Sequence, residues 1–160
     1  MGERLTHVDA SGAARMVDVS GKEPTARSAV ATGVLHTTEE VVELLRRDGL
    51  PKGDALATAR IAGIMAAKRT PDLVPLCHPI ALSGVTVDLV AEGGEVRITA
   101  TVRSTDRTGV EMEALTAVAV AGLTLHDMVK AVDPAAVLDA VRVERKEGGK
   151  GDTWTRPQDR

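Results

Sequence analysis

The sequence predicts an α+β sandwich, an antiparallel sheet with helices on one face. Three observations carry this. Residues 96–104 alternate cleanly, with Val96, Ile98, Ala100 and Val102 on one face and Arg97, Thr99, Thr101 and Arg103 on the other. Such alternation marks a strand with one buried and one wetter face. A Glu92-Gly93-Gly94-Glu95 turn joins this run to a second one over 80–91, where Val85, Val87 and Leu89 alternate with Thr86 and Asp88. Two long, mainly apolar helical stretches, 55–69 and 110–132, lie on either side of this hairpin in the chain.

The other elements follow in order. Residues 1–26 read as a polar N-terminal arm of little periodicity. Residues 27–36, RSAVATGVLH, alternate loosely and form the first strand. Thr37 opens a helix, with Glu40 at the capping-box spacing. Val41, Val42, Leu44 and Leu45 supply its apolar side, and Gly49 ends it. Pro51-Lys52-Gly53 is a turn, and Asp54 caps the helix over 55–69. That helix is rich in Ala and carries Gly63, so a neighbour can approach its backbone closely. Thr70-Pro71 stops it, and 71–79 is a Pro-punctuated loop. After the long helix, 134–140 read as a short helical or turn segment and 141–145 as the last strand. Residues 147–160 form a tail, flexible by composition. The order is β-α-α-β-β-α-β. With the first two helices in one layer, this is the split β-α-β pattern of a ferredoxin-like sandwich.

Composition sets further bounds. The 160 residues make a single domain, 1–160. Hydrophobic residues are 43%, yet there is no Phe, no Tyr and one Trp, Trp154. The core is therefore built from Val, Ala, Leu, Ile and Met, which each bury less area than an aromatic ring. Such a domain gains from burying more surface between subunits, which predicts an oligomer. The net charge of −3 and the lack of stacking aromatics argue against a nucleic-acid partner. The lone Cys77 forms no internal disulfide and fits a reducing cytoplasm. The N-terminus shows no secretory h-region. No run of about 18 apolar residues occurs, so no membrane span is expected.

Four constellations bear on chemistry. In Leu76-Cys77-His78-Pro79, Cys and His are adjacent in a stiff loop. The residues alone favour a buried small Cys and a hydrogen-bonded His, while the stiffness given by Pro75 and Pro79 would suit a ligand contact. No CxxC or HxxxH spacing accompanies it, so no metal site is expected. Glu111-Met112-Glu113 opens the long helix, where carboxylates are stabilised by the helix dipole. Yet Glu113, Thr116, Thr124 and Asp127 fall near one stripe of this apolar helix, which predicts a pocket or an interface along it. Asp127 and Lys130, three apart, meet on one helix face, as a surface ion pair or as an acid–base pair. Lys146 and Lys150 flank Glu147-Gly148-Gly149, and Lys52 precedes a helix start. Gly lets backbone N–H groups approach a phosphate. The fourteen residues between Glu113 and Asp127 span roughly 21 Å of helix. If both serve one site, it combines the start of one long helix with the end of another subunit's.

Four blocks, KGD, PLCHP, GVEMEALTA and DM-x-KA, stand in an order and spacing that make the chain recognisable. With LTHVDASGAARMVDVSGKEPTAR before them and KEGGKG after, nearly the whole chain resembles the molybdenum cofactor biosynthesis protein C family, the cyclic pyranopterin monophosphate synthases. The resemblance implies ferredoxin-like subunits in a homohexamer, a trimer of dimers with sites at dimer interfaces. It implies a lyase reaction on a small molecule, (8S)-3′,8-cyclo-7,8-dihydroguanosine 5′-triphosphate, made by a radical SAM GTP cyclase. The products are cyclic pyranopterin monophosphate and pyrophosphate. No redox cofactor is implied, and Mg²⁺ would enter only with the substrate triphosphate. By the same resemblance Asp127, Lys52 and Lys130 are catalytic. Leu76, Cys77, His78, Met112 and Glu113 match the substrate-contacting segments, and Arg27, Glu111, Lys146 and Lys150 match further positions around the pocket.

Overall fold

A computed structural model describes residues 5–50 and 54–158. The elements are β1 (Thr25–His36), α1 (Glu39–Arg46), α2 (Ala55–Lys68), α3 (Thr70–Leu73), β2 (Leu82–Glu92), β3 (Glu95–Asp106), α4 (Glu111–Val129), β4 (Val137–Glu147) and β5 (Trp154–Thr155). The strands form one sheet in the order β2-β3-β1-β4-β5, every neighbouring pair antiparallel. The first four strands have the ferredoxin-like order expected from the split β-α-β pattern.

The sheet's buried face follows from alternation. Ala29, Ala31 and Leu35 of β1 and Val96, Ile98, Ala100 and Val102 of β3 are all buried. They meet Ala114, Ala117, Val118, Ala121 and Leu125 of α4 and Ala55, Ala59 and Ala67 of α2. With no large ring to fill the layer, the helices close up on one another through small residues. A Cβ on Gly63 would lie 2.9 Å from the Ala117 carbonyl oxygen and 3.3 Å from the Ala121 Cβ. Gly63→Ala therefore pushes α2 against the backbone of α4. Overpacking of about 1–3 kcal/mol opposes the ~1 kcal/mol gained in helix propensity. We expect the melting temperature to fall by about 2–6 °C, and a calorimetric scan to register it. A rise would mean the two helices separate without penalty.

Local chemistry sets most boundaries. The Asp54 carboxylate accepts from the Ala57 N–H at 3.0 Å and caps α2. The β2–β3 hairpin turns on Gly93-Gly94, with Gly93 at φ 61°. The α1 boundaries differ from expectation. Thr38, not Thr37, is the N-cap, its hydroxyl accepting from Val41 N–H at 3.2 Å. Thr37 instead donates to Asp133 at 2.7 Å, tying the end of β1 to the connection after α4. Glu40 is thus one residue short of the capping-box position. The left-handed residue after α1 is Asp48 (φ 50°) rather than Gly49.

The end of the chain also differs. Residues 137–140 belong to β4, not to a helical segment. Leu138 pairs with Leu35 and Val137 with His36, and ladder pairing with the central strand overrides local helix propensity. Two register shifts, opposite Val30/Ala31 and Thr32/Val34, break the alternation of β4 and hide it from a periodicity reading. Within the stretch 147–160, read as a flexible tail, β5 returns to the sheet, where Trp154 pairs with Lys146 and Thr155 with Arg145. The arm ends where β1 begins, at Thr25. Within the arm, the Asp9 carboxylate accepts from the Ser11 hydroxyl and from the Ala13 and Ser11 N–H groups, which holds it below its ordinary range. By length and composition α4 could cross a membrane, but more than half of it is buried in this chain's own core.

Candidate active site

α4 carries chemistry at both ends. At its start, Glu113 is 3% exposed. Burial pushes its carboxyl up to about 7, against its own backbone N–H and with help from the Glu111 carboxylate. Cys77 is half-buried, and burial, then the Glu113 charge, raises its thiol. A raised thiol holds little thiolate, so Cys77 is poorly suited to be a nucleophile. Leu76 beside it is half-buried, and Met112 is exposed. Glu111 meets Lys146 Nζ at 3.3 Å.

The sheet brings Lys146 and Arg27 to this same end. Lys146 stands near the end of β4 and pairs with Ala29, and Arg27 stands at the start of β1. The Arg27 guanidinium donates to the carbonyls of Asp106 (3.2 Å) and Arg107 (3.5 Å), where β3 gives way to the approach to α4. Gly148 and Gly149 both have positive φ, 96° and 83°. A Cβ on Gly148 would collide with the Ala26 carbonyl, and one on Gly149 would lie 2.7 Å from Arg27 Nη1. Only glycine fits this approach. Lys150 follows, exposed.

His78 is held by the arm. Its Nε2–H donates to the Val17 carbonyl at 2.5 Å. Arg107 Nε donates to the Lys22 carbonyl at 2.9 Å. The arm residues 16–20, His78 and Arg107 line an open depression of about 420 Å³. The Asp18 carboxyl in its wall is held low by the Ser20 hydroxyl and N–H and by His78. Arg107 and the arm backbone escaped the sequence reading. The available signal was a basic residue two positions ahead of the GVEME stretch.

At the other end of α4, Lys130 Nζ meets Asp127 Oδ1 at 2.7 Å, both about half exposed. Lys52 lies outside the described residues. Thr37 bonded to Asp133 places this end of α4 at the far end of β1 from Arg27. The expected residues therefore fall into two groups. Glu111, Glu113, Cys77, Lys146 and Arg27 gather at one end, and Asp127 and Lys130 stand roughly 21 Å along the helix from Glu113. Between them the outer face of α2, α3 and α4 is apolar, with Ile61, Met65, Leu73, Met112 and Leu123 exposed. A groove of about 520 Å³ runs there, floored by Ala62, Ala66 and Val120 and edged by Arg69 and Asp72. Among the described residues, no three His, Cys, Asp or Glu side chains cluster as metal ligands.

Comparison with known proteins fits this geometry. Residues 16–149 match the model of the MoaC family. The cyclic pyranopterin monophosphate synthase of Streptomyces coelicolor is 69% identical over 154 residues, covering 96% of this chain and 91% of its own. The synthase of Nocardioides sp. is 67% identical over 157 residues, covering 96% of each chain. The cyclic pyranopterin monophosphate synthase 2 of Mycobacterium tuberculosis is 65% identical over 152 residues, covering 95% of this chain and 91% of its own. A family match that takes in both ends of α4, the Cys77–His78 loop and the Lys146 strand, with relatives this similar over almost their full length, leaves one assignment: the chain belongs to the MoaC family.

Proposed function

We infer that this chain is a lyase of molybdenum cofactor biosynthesis. It converts 3′,8-cyclo-7,8-dihydroguanosine triphosphate to cyclic pyranopterin monophosphate and pyrophosphate. The observation that carries the reading is family membership over residues 16–149, together with relatives at 65–69% identity named cyclic pyranopterin monophosphate synthase. The reaction opens the purine's five-membered ring, closes a pyran-fused pterin, and cyclises the phosphate. It moves protons and breaks a P–O bond to pyrophosphate without net oxidation, so it needs no redox cofactor. Mg²⁺ enters with the triphosphate.

The ring steps need a group that takes protons and one that returns them. Asp127 and Lys130, bonded at 2.7 Å, are the pair for this, with Lys52 as third member. The phosphate step needs cations where charge builds on the leaving pyrophosphate. Arg27, His78, Lys146 and Lys150 serve there, and Arg107 lines the same depression as His78. Ionised Glu113 accepts two N–H bonds from the guanine-type edge. Leu76, Cys77 and Met112 shape that subsite, and Glu111 steadies Lys146.

The working unit is a homohexamer, a trimer of dimers, with each site at a dimer interface. Two observations support this. The separation along α4 prevents one subunit's two groups from gripping one small molecule. The outer face of α2–α4 presents clustered apolar side chains, which monomers seldom leave exposed. The substrate comes from a radical SAM GTP cyclase, and the lone Cys77 suits a reducing cytoplasm.

The test is an assay of the purified chain with the cyclised GTP intermediate, following pyrophosphate and an oxidisable pterin. Both products are expected. Binding without either product would favour a ligand sensor on the same fold, and no binding would sink the reading. Sedimentation velocity is expected to give a species six times the 16.7 kDa chain, and a stable monomer would overturn the composite site.

A further inference from the structure

We propose that Trp154 and Arg156 are positioning residues. They clasp β5 to β4 and so hold the 147–153 loop with Lys150 facing the substrate's polyphosphate. The proposal rests on the reading of Lys146 and Lys150 as polyphosphate ligands. Both residues of the clasp lie beyond the 16–149 span of the family match.

The first observation is where the chain places its only aromatic ring. Trp154 is absent from the core and stands 38% exposed at the sheet edge. Arg156 lies over its ring, 5.6 Å from the centroid. The Arg156 N–H donates to the Glu144 carbonyl at 2.8 Å, and its Nε donates to the Val143 carbonyl at 2.7 Å. Its guanidinium also faces the Glu144 carboxylate at 3.8 Å. That carboxylate accepts from Thr32 of the central strand at 2.7 Å and from Arg142 at 2.6 Å. Burial would raise the Glu144 carboxyl, but the Thr32 hydroxyl and Arg142 outweigh it and hold it below the ordinary range. The anchor under Arg156 is thus charged and tied to β1.

The second observation is how little else holds this segment. β5 has two residues and two paired positions. So short a strand does not stay on an edge by ladder bonds alone. The loop it closes, EGGKGDT, carries three glycines. On its near side the loop is fixed by Glu147, which pairs with Ser28 and accepts from its hydroxyl at 3.4 Å, and by Gly149 packed on Arg27. On its far side, β5 ties the loop to β4. Released there, Gly149, Lys150 and Gly151 would sample many conformations, and the substrate would have to order them on binding. With the clasp closed, that ordering is already complete.

The test uses the full chain with Trp154→Ala, Trp154→Phe and Arg156→Met, read by steady-state kinetics and by calorimetric binding of inorganic tripolyphosphate. Trp154→Ala and Arg156→Met are each expected to raise KM and the tripolyphosphate Kd about five- to tenfold, with kcat changed by less than about twofold. Trp154→Phe keeps a ring under Arg156 and is expected to restore both. In a Lys150→Ala background, Trp154→Ala is expected to add little, because the clasp acts through Lys150. An unchanged Kd in Trp154→Ala, or fully additive effects with Lys150→Ala, would overturn the proposal. So would a parallel fall of kcat and melting temperature without rescue by Phe. Tripolyphosphate binding tests the clasp even if wild type releases no pyrophosphate, so failure of the function and failure of the clasp are separable.

Discussion

Asp127→Asn is expected to remove turnover, with kcat down about 10²–10⁴-fold, the usual scale for a positioned acid or base. Lys130→Ala is expected to do the same. The two residues are bonded at 2.7 Å and each is about half exposed. An exposed pair of this spacing contributes only about 0.2–0.5 kcal/mol to stability, so loss of this pair by itself should not shift the melting temperature measurably. That contrast separates the roles. A large kinetic loss in a protein of unchanged stability and assembly marks proton transfer. A loss of assembly in both variants would mark a structural pair. Single-turnover measurement of pterin and pyrophosphate together adds resolution. Because Asp127 acts in the ring steps, the pterin vanishes in the Asn variant. If pyrophosphate vanishes with it, phosphate cyclisation follows the ring steps; if pyrophosphate still appears at the wild-type rate, cyclisation does not wait for them; pterin formed at the wild-type rate would remove Asp127 from the ring steps.

The second large effect concerns Glu113→Gln and opposes activity to stability. The Glu113 carboxyl ionises at about 7 in the fold, against an ordinary 4.5, because it is buried. The sign follows from proton binding. Between pH 4.5 and 7 the folded chain holds a proton on this group that the unfolded chain has released. The contribution of Glu113 to stability is therefore fully present below pH 4.5 and is lost as the pH rises through 7. By pH 8 the loss is on the order of 3 kcal/mol. Gln has the same shape and no charge to bury, so the variant escapes that loss. We expect Glu113→Gln to melt about 5–10 °C above wild type at pH 8, and the two to converge near pH 4.5. Identical melting profiles across this range would show that Glu113 is not desolvated. Binding moves the other way. Gln accepts one bond where the carboxylate accepts two, and turns an N–H₂ toward N–H donors. A bond to a charged group contributes about 1.5–3 kcal/mol, so KM should rise about 10–100-fold. In wild type, KM should also rise as the pH falls below 7, since the edge-binding form is the ionised one. This is the trade of stability for function expected where a site keeps a buried charge.

Much of this was legible in order along the chain. The β3 alternation named its buried face residue by residue, and Val96, Ile98, Ala100 and Val102 are all fully buried. Asp54 announced the start of α2 through its own side chain. The Gly63 position announced a close helix contact, which Ala117 and Ala121 supply. Where two neighbours compete for one role, local reading failed. Thr37 and Thr38 are chemically equal as caps, and Asp133, ninety-six residues from Thr37, takes Thr37 away. β4 failed for a related reason. Its pairing partner β1 imposes two register shifts, and the alternation a periodicity test looks for is broken by them.

The candidate site divides the same way. Residue types and spacing singled out Glu113, Cys77, His78, Asp127, Lys130 and the lysines around Gly148-Gly149. The 1.5 Å rise of a helix already separated Glu113 from Asp127. The sequence by itself thus determined the fold class, the family and the two groups of reactive side chains, because periodicity, capping and motif spacing are short-range properties. Only the tertiary structure decided which groups share an end of the molecule. Strand order brings the start of β1, the end of β3 and the end of β4 side by side, so Arg27 reaches the Asp106 and Arg107 carbonyls across some eighty residues of chain, and Lys146 reaches Glu111 at the same end. It also decided that Glu113 is buried, that the arm holds His78, and that Trp154 clasps an edge. Those outcomes depend on long-range packing, in which each side chain's surroundings come from segments remote from it in sequence.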